Sequence, residues 1–134
     1  MNTMSMIVNG KVLQVRLEKV VAESIIFECQ TCHHCVEIQQ DLYDQRLQQP
    51  DICSPFDGGC GQKGTTFKMR VDLTKYLSKH IITLSADHKR YIIWMDETAN
   101  PPKRGDTIAI EIVDIRAKKG TKGTFYALGT SFWE

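Results

Sequence analysis

Cys29-Gln30-Thr31-Cys32 and Cys53-Ser54-Pro55-Phe56-Asp57-Gly58-Gly59-Cys60 decide how the rest of the chain is read. The first is a C-x2-C knuckle and the second a C-x6-C loop followed by Gly61, with twenty residues between Cys32 and Cys53. Two short cysteine loops at about that separation read as a zinc ribbon with four thiolates. Zn2+ takes four soft donors at tetrahedral corners, and each tight loop delivers two of them to one side. Gly58, Gly59 and Gly61 are expected to supply positive-φ turns that aim backbone amides at sulfur. Cys29, Cys32, Cys53 and Cys60 are therefore the candidate ligands. His33, His34 and the fifth cysteine, Cys35, compete for a place, although Cys35 replaces Cys32 only if the knuckle is reshaped. Four thiolates leave no open position, so the metal is expected to be structural. The H-x-E of a zinc deaminase and the H-E-x-x-H of a zinc protease are both absent, and no enzyme is expected.

An odd number of cysteines argues against a secreted disulfide framework. The start, Met1-Asn2-Thr3-Met4-Ser5-Met6, lacks a basic region leading into an apolar core, so an intracellular location is expected. The 134 residues are one domain's worth, 1–134, with the ribbon as an insert over 28–64. No G-x-x-x-x-G-K-[ST] run occurs, and no apolar stretch is long enough to span a membrane. Seventeen Lys and Arg against sixteen Asp and Glu give a formal charge of +1. Any nucleic-acid binding must rest on local charge rather than on the total.

Outward from the cysteines the pattern is that of strands. Residues 7–17 alternate at Leu13, Val15 and Leu17, with Gly10 expected to mark a bulge or tight bend. Residues 20–28 run as a second strand into the first knuckle. Residues 41–49 look irregular or briefly helical, and 65–71 alternate as a strand leaving the ribbon. Ile81–Leu84 and Tyr91–Met95 are short strands, Thr107–Ile115 sets Ile108, Ile110 and Ile112 on one face, and Thr124–Leu128 returns after a Gly/Lys turn. No sustained helical period interrupts them. Five or more strands, with the ribbon after the second, make a small all-β barrel.

The order of these features resembles the N-terminal region of the minichromosome maintenance (MCM) replicative helicases. The residues that carry it are Gly10-Lys11-Val12, Phe27-x-Cys29-x2-Cys32, Cys53-Ser54-Pro55, Cys60-Gly61, Pro102-Lys103-Arg104-Gly105-Asp106-Thr107-Ile108 and Lys118-Lys119-Gly120-x-Lys122-Gly123-Thr124-Phe125. The resemblance spans residues 7–133 and implies an OB-fold, a five-stranded Greek-key barrel with an inserted zinc ribbon. It also implies a basic hairpin, 116–125, that reaches DNA. The chain departs from the family at His33, where glycine is usual, in its longer second cysteine loop, and at Arg104, which directly precedes Gly105. The helical subdomain and the ATPase domain of the family have no counterpart in the sequence, so an autonomous helicase is not expected.

Arg116, Lys118, Lys119 and Lys122 place four cations and no acid over residues 116–122, and OB-folds bind single strands through basic grooves and aromatic platforms. Lys103 and Arg104 are candidate phosphate contacts, and Tyr91 and Tyr126 candidate stacking rings. The expected function is a DNA-replication module that binds single-stranded DNA ahead of duplex. Its expected partners are copies of itself in a ring, or MCM-type helicase subunits. The alternative is a protein-interaction module without DNA affinity, suggested by the neutral total and by Glu37, Asp41, Asp44 and Asp51 in the ribbon.

Overall fold

Alternation builds the barrel. The computed structural model describes residues 5–44, 46–63 and 66–134, without the Val20 side chain. The Gly64 end of the expected insert, the Thr65 start of the strand at 65–71, Gln45 and Met1–Met4 lie outside these residues. The strands are β1 (Ser5–Val21), β2 (Ser24–Cys29), β3 (Cys35–Gln39), β4 (Phe67–Met69), β5 (Leu77–Ala86), β6 (Lys89–Asp96), β7 (Thr107–Ala117) and β8 (Thr124–Trp133). Among the described residues the only helical element is the 3-10 turn Pro55–Asp57, and no helix is long and apolar enough to cross a membrane.

β1, β5, β6, β8 and β7 close into a barrel in that order, with β6 and β8 parallel. Counted along the chain the barrel strands stand as first, second, third, fifth, fourth, the Greek-key order of an OB-fold. Val8, Val12, Ile82, Leu84, Ile93, Ile108, Ile110, Ile112 and Ala127 fill its interior. Gly10 is needed for a close approach: a Cβ there would stand 2.4 Å from the Ser85 carbonyl oxygen. At the other end of β7 a bulge falls between Val113 and Ile115, with Asp114 at φ 55. Beyond it residues 114–117 are all exposed, while Ile115, Arg116 and Ala117 stay paired with Ala127, Tyr126 and Phe125 of β8.

β2, β3 and β4 form a separate three-stranded sheet in the order β3-β2-β4. Two compact units result: residues 1–20 with 78–134, and residues 21–77. The second strand of the chain therefore belongs to the ribbon's sheet rather than to the barrel, and the cysteine-bearing unit starts after the first barrel strand. It is also wider than the 28–64 insert. β3 was not expected from the sequence, and the described residues of 41–49 form turns and bends without a helix. The strand expected over 65–71 is short and pairs with β2, register Phe27↔Met69 and Cys29↔Phe67.

Candidate metal centre and basic hairpin

β2 ends on Cys29, whose side chain is fully buried. The chain then reverses in a knuckle: the His33 N–H donates to the Cys29 carbonyl at 2.8 Å, and the Cys29 N–H donates to the His34 carbonyl at 2.9 Å. The reversal puts His33 at φ 63, a left-handed position that glycine takes without strain. That explains why glycine is usual there in the resembling family.

The six residues between Cys53 and Cys60 fold up on themselves. Pro55–Asp57 makes a 3-10 turn, Gly58 closes it at φ 91, and the Gly59 N–H returns to the Ser54 carbonyl at 2.8 Å. The longer loop thus brings its two cysteines as close as a short knuckle would. The Cys60 N–H points at Cys53 Sγ from 3.3 Å, and the Gly61 N–H donates to the Cys53 carbonyl at 2.6 Å. Gly58 and Gly61 have the positive φ expected of them. Gly59 does not; it is small because a Cβ there would meet Cys53 Sγ at 2.4 Å.

The sulfurs of Cys29, Cys32, Cys53 and Cys60 all lie within 4.8 Å of one another. Cys29 Sγ is 4.0 Å from Cys60 Sγ, and Cys32 Sγ is 3.5 Å from Cys53 Sγ. A tetrahedron with Zn–S bonds of about 2.3 Å has sulfurs about 3.8 Å apart, so the donor set fits four-thiolate coordination. His33, His34 and Cys35 are not in the cluster. Cys35 sits exposed on β3, and His33 Nδ1 lies 2.9 Å from Glu28 Oε2. Burial pushes the Cys53 thiol up to about 12, so a cation that binds there must displace a proton.

A polar chain braces the same unit. Arg70 donates to Glu28 Oε1 at 2.6 Å and to Asp72 Oδ2 at 2.7 Å. The bonds from His33 and then Arg70 hold the Glu28 carboxyl below the usual carboxylate range. Thr74 Oγ1 accepts from the Ile26 N–H and donates to the Arg70 carbonyl. Phe56 stands on the Cys53–Cys60 loop, 97% exposed.

The second candidate region is the β7–β8 hairpin. Gly120 and Gly123 take φ 80 and 78 in its turn. Arg116, Lys119 and Lys122 are exposed, and Lys118 is half-exposed with Nζ 5.9 Å from the Tyr126 ring centre. An open hollow of about 510 Å³ is lined by Ala117, Lys118 and residues 120–125. Because β6 and β8 are parallel, their starts share one end of the barrel, and the Arg90 N–H donates to the Gly123 carbonyl at 2.8 Å. Lys89 and Arg90, both exposed, thereby join the hairpin cations, with Lys89 Nζ 5.8 Å from the Phe125 ring centre. The sequence shows the His88-Lys89-Arg90 cluster but not its neighbour, because the link is a pairing between distant strands.

Lys103 and Arg104 do not join them. Their turn precedes β7, whose eleven residues at about 3.3 Å each put it roughly 30 Å from the hairpin. That turn anchors β1: the Gly105 N–H donates to the Val12 carbonyl, and the Val12 N–H to the Asp106 carbonyl, each at 2.8 Å. Tyr91 is not a platform either. It is 7% exposed and stacks on Phe125, ring centres 5.5 Å apart, inside the barrel. Tyr126 does lie on the outer face, half-buried beside Trp94.

The fold and its donor cluster define a class: an OB barrel interrupted by a four-cysteine ribbon. Among solved structures the N-terminal domain of an archaeal MCM is similar to it, with a TM-score of 0.70 and 20% sequence identity. The match covers 96% of this chain and 55% of that one, so the chain spans about half its length. At that identity the likeness is one of fold, and it agrees with the resemblance carried by the motifs. No family model and no curated protein matches the sequence.

Proposed function

We propose that the chain is a non-catalytic, DNA-binding module of DNA replication that works inside the cell and binds single-stranded DNA ahead of duplex. The observation that supports this best is the gathering of Arg116, Lys118, Lys119 and Lys122 with Lys89 and Arg90 at one end of an OB barrel, beside an open hollow. Cations grouped in this way neutralise phosphates, and a protein of nearly neutral total charge needs such grouping. Lys103 and Arg104, at the far end of β7, have no part in that contact. Zn2+ held by Cys29, Cys32, Cys53 and Cys60 supplies folding energy to the ribbon and, with its shell closed, no chemistry. The modules assemble with one another as a ring or with MCM-type helicase subunits, the reading favoured by the fold of the archaeal neighbour.

The test is fluorescence anisotropy with single- and double-stranded oligonucleotides over a salt series. Wild type binds at low salt, and the K118A/K119A/K122A variant loses about two units of the log–log salt slope, given roughly 0.7 per single-strand phosphate contact. Unchanged binding in that variant removes the hairpin from the contact. The second reading, a protein-interaction module, is favoured by the exposed Phe56 on the ribbon. Recovery of helicase subunits in a pull-down, with no DNA binding at any salt, selects it. Light scattering that shows only monomer at high concentration, with and without DNA, excludes the ring.

A further inference from the structure

We propose that the turn after β4, residues 69–76, is a docking surface for an acidic, apolar peptide segment of a partner protein. The inference goes beyond the DNA-binding reading and does not depend on it. Met69, Val71, Leu73 and Tyr76 all stand exposed, four of the eleven large apolar side chains that do so among the described residues. The other seven are scattered from Met6 to Trp133, whereas these four fall within one short stretch. Gathered apolar exposure of this kind marks an interaction site, while single exposed side chains need no explanation. The turn is also firmly built. The Arg70 N–H donates to the Ile26 carbonyl at 2.8 Å, and the Leu73 and Thr74 N–H groups both donate to the Arg70 carbonyl at 3.1 Å. Thr74, itself buried, fastens the turn to β2 through the Ile26 N–H, and the Arg70 guanidinium is held by Glu28 and Asp72. Val71 and Leu73 are left outside, each more than half exposed. The reversal keeps the Cα atoms of residues 70 and 73 within about 7 Å of each other, so Met69, Val71 and Leu73 share one small area. An apolar surface fixed in this way has little conformational freedom left to lose when a partner settles on it.

Charge identifies the occupant. Residues 68–76 carry Lys68, Arg70 and Lys75 against Asp72 alone, while the rest of the 21–77 unit carries seven acids and two bases. Lys68 and Lys75 are exposed and enter no ion pair among the described residues. Apolar side chains flanked by two such ammonium groups suit a segment that sets carboxylates beside leucine-like side chains. A two-fold contact with a second copy would bring the same lysines to both sides, which like-charge repulsion opposes. Val71 and Leu73 offer no ring on which a base could stack, so the chemistry favours peptide over nucleic acid.

The experiment selects random dodecapeptides displayed on phage against the full chain, with V71S/L73S as the counter-selection. Peptides that join Leu, Ile or Phe to Asp or Glu are expected to be enriched. One of them, synthesised and labelled, should bind V71S/L73S about tenfold more weakly by anisotropy. K68E/K75E is expected to lose the same peptide and to enrich peptides bearing Lys or Arg instead. On wild type the peptide should shift the methyl NMR signals of Met69, Val71 and Leu73, a readout that needs no variant to fold. No enrichment, enriched peptides without acids, equal binding by V71S/L73S, or unmoved methyl signals overturns the inference. A dimer in light scattering that V71S/L73S abolishes assigns the face to a second copy and overturns it too. Wild type that takes the peptide but not oligo-dT overturns the DNA-binding reading alone.

Discussion

The barrel and the ribbon are both antiparallel-rich sheet structures, yet they are held together differently. The barrel closes on itself and buries a continuous set of branched side chains, Val12, Ile82, Leu84, Ile93, Ile108, Ile110 and Ile112 among them. The ribbon's sheet has three strands and stays open. Among the described residues its buried apolar side chains are few, Ile25 and Phe27, and they share the interior with Cys29 and Cys53. A unit of that size, 21–77, falls below the roughly 70–80 residues at which a single core becomes a secure source of stability. The difference shows where a bound metal would count: on the proposal that Cys29, Cys32, Cys53 and Cys60 hold Zn2+, four sulfurs would make up for the small core of the ribbon, and the barrel would need no such substitute.

Metal removal should separate the behaviour of the two units most. Zn2+ binding in small four-ligand modules is worth about 10–16 kcal/mol at neutral pH, which exceeds what the ribbon's own core can supply. A strong chelator, or Cys53→Ser, is expected to abolish hydrogen-exchange protection across β2 and β3 while β5 and β6 stay protected. Loss of protection in both units together would show that the barrel depends on the ribbon. Full retention in both, or freshly purified protein without zinc, would show that the thiols alone hold the ribbon.

Core truncation sharpens the same contrast. Phe27→Ala should cost about 3–5 kcal/mol and Ile93→Ala about 2–5 kcal/mol, since both side chains are almost wholly buried. The two are expected to part in a second readout. Phe27→Ala weakens metal affinity, because Phe27 packs two residues before Cys29 on β2, while Ile93→Ala leaves it unchanged. Competition with a colorimetric zinc indicator measures this, and equal metal affinity in both variants would mean that the ribbon's apolar residues do not shape the site.

Gly59→Ala is the next smaller perturbation. Its Cβ would press on Cys53 Sγ and on the Ser54 carbonyl oxygen, which stands 2.7 Å from it. Metal affinity is expected to fall about 10–100-fold, as when the support around a ligand is disturbed, with the barrel's melting temperature unmoved. An unaltered affinity would mean that the loop relaxes around the added methyl group.

Much of this was legible in the residues. The spacing of Cys29, Cys32, Cys53 and Cys60 pointed to one donor cluster, and the run of Ile108, Ile110 and Ile112 to one buried face, because both signals are local. β3 was not legible: Val36 and Ile38 alternate over only five residues and are half-buried, too weak a period to separate from a loop. The two sides of β6 were not legible for a related reason. Tyr91-Ile92-Ile93-Trp94-Met95 announces a strand with two faces, but period two does not say which of them faces inward. The pairing with β8 decides it, and Trp94 rather than Tyr91 is turned outward. The union of Lys89 and Arg90 with Lys122, and the separation of Lys103 and Arg104 from them, likewise follow from strand direction rather than from composition.

The smallest effect is expected where the ribbon uses charge. The Arg70 guanidinium holds the Asp72 carboxyl below the usual carboxylate range, which means that the folded ribbon favours the ionised form. A carboxylate with a lowered folded pKa contributes its stability in full above the unfolded value, about 3.9, and loses it as pH falls through the lowered one. Asp72→Asn should therefore lower the ribbon's melting temperature slightly at neutral pH and not at all in strong acid. The Asp72 side chain is 63% exposed, so the pair is open to screening, and the neutral-pH difference should shrink further at molar salt. Thermal melts of both proteins across pH and salt provide the check. A large loss, or one that persists in acid, would mean that Asp72 positions Arg70 against Glu28 and that polar bracing carries more of the ribbon than its thin core and its sulfurs imply.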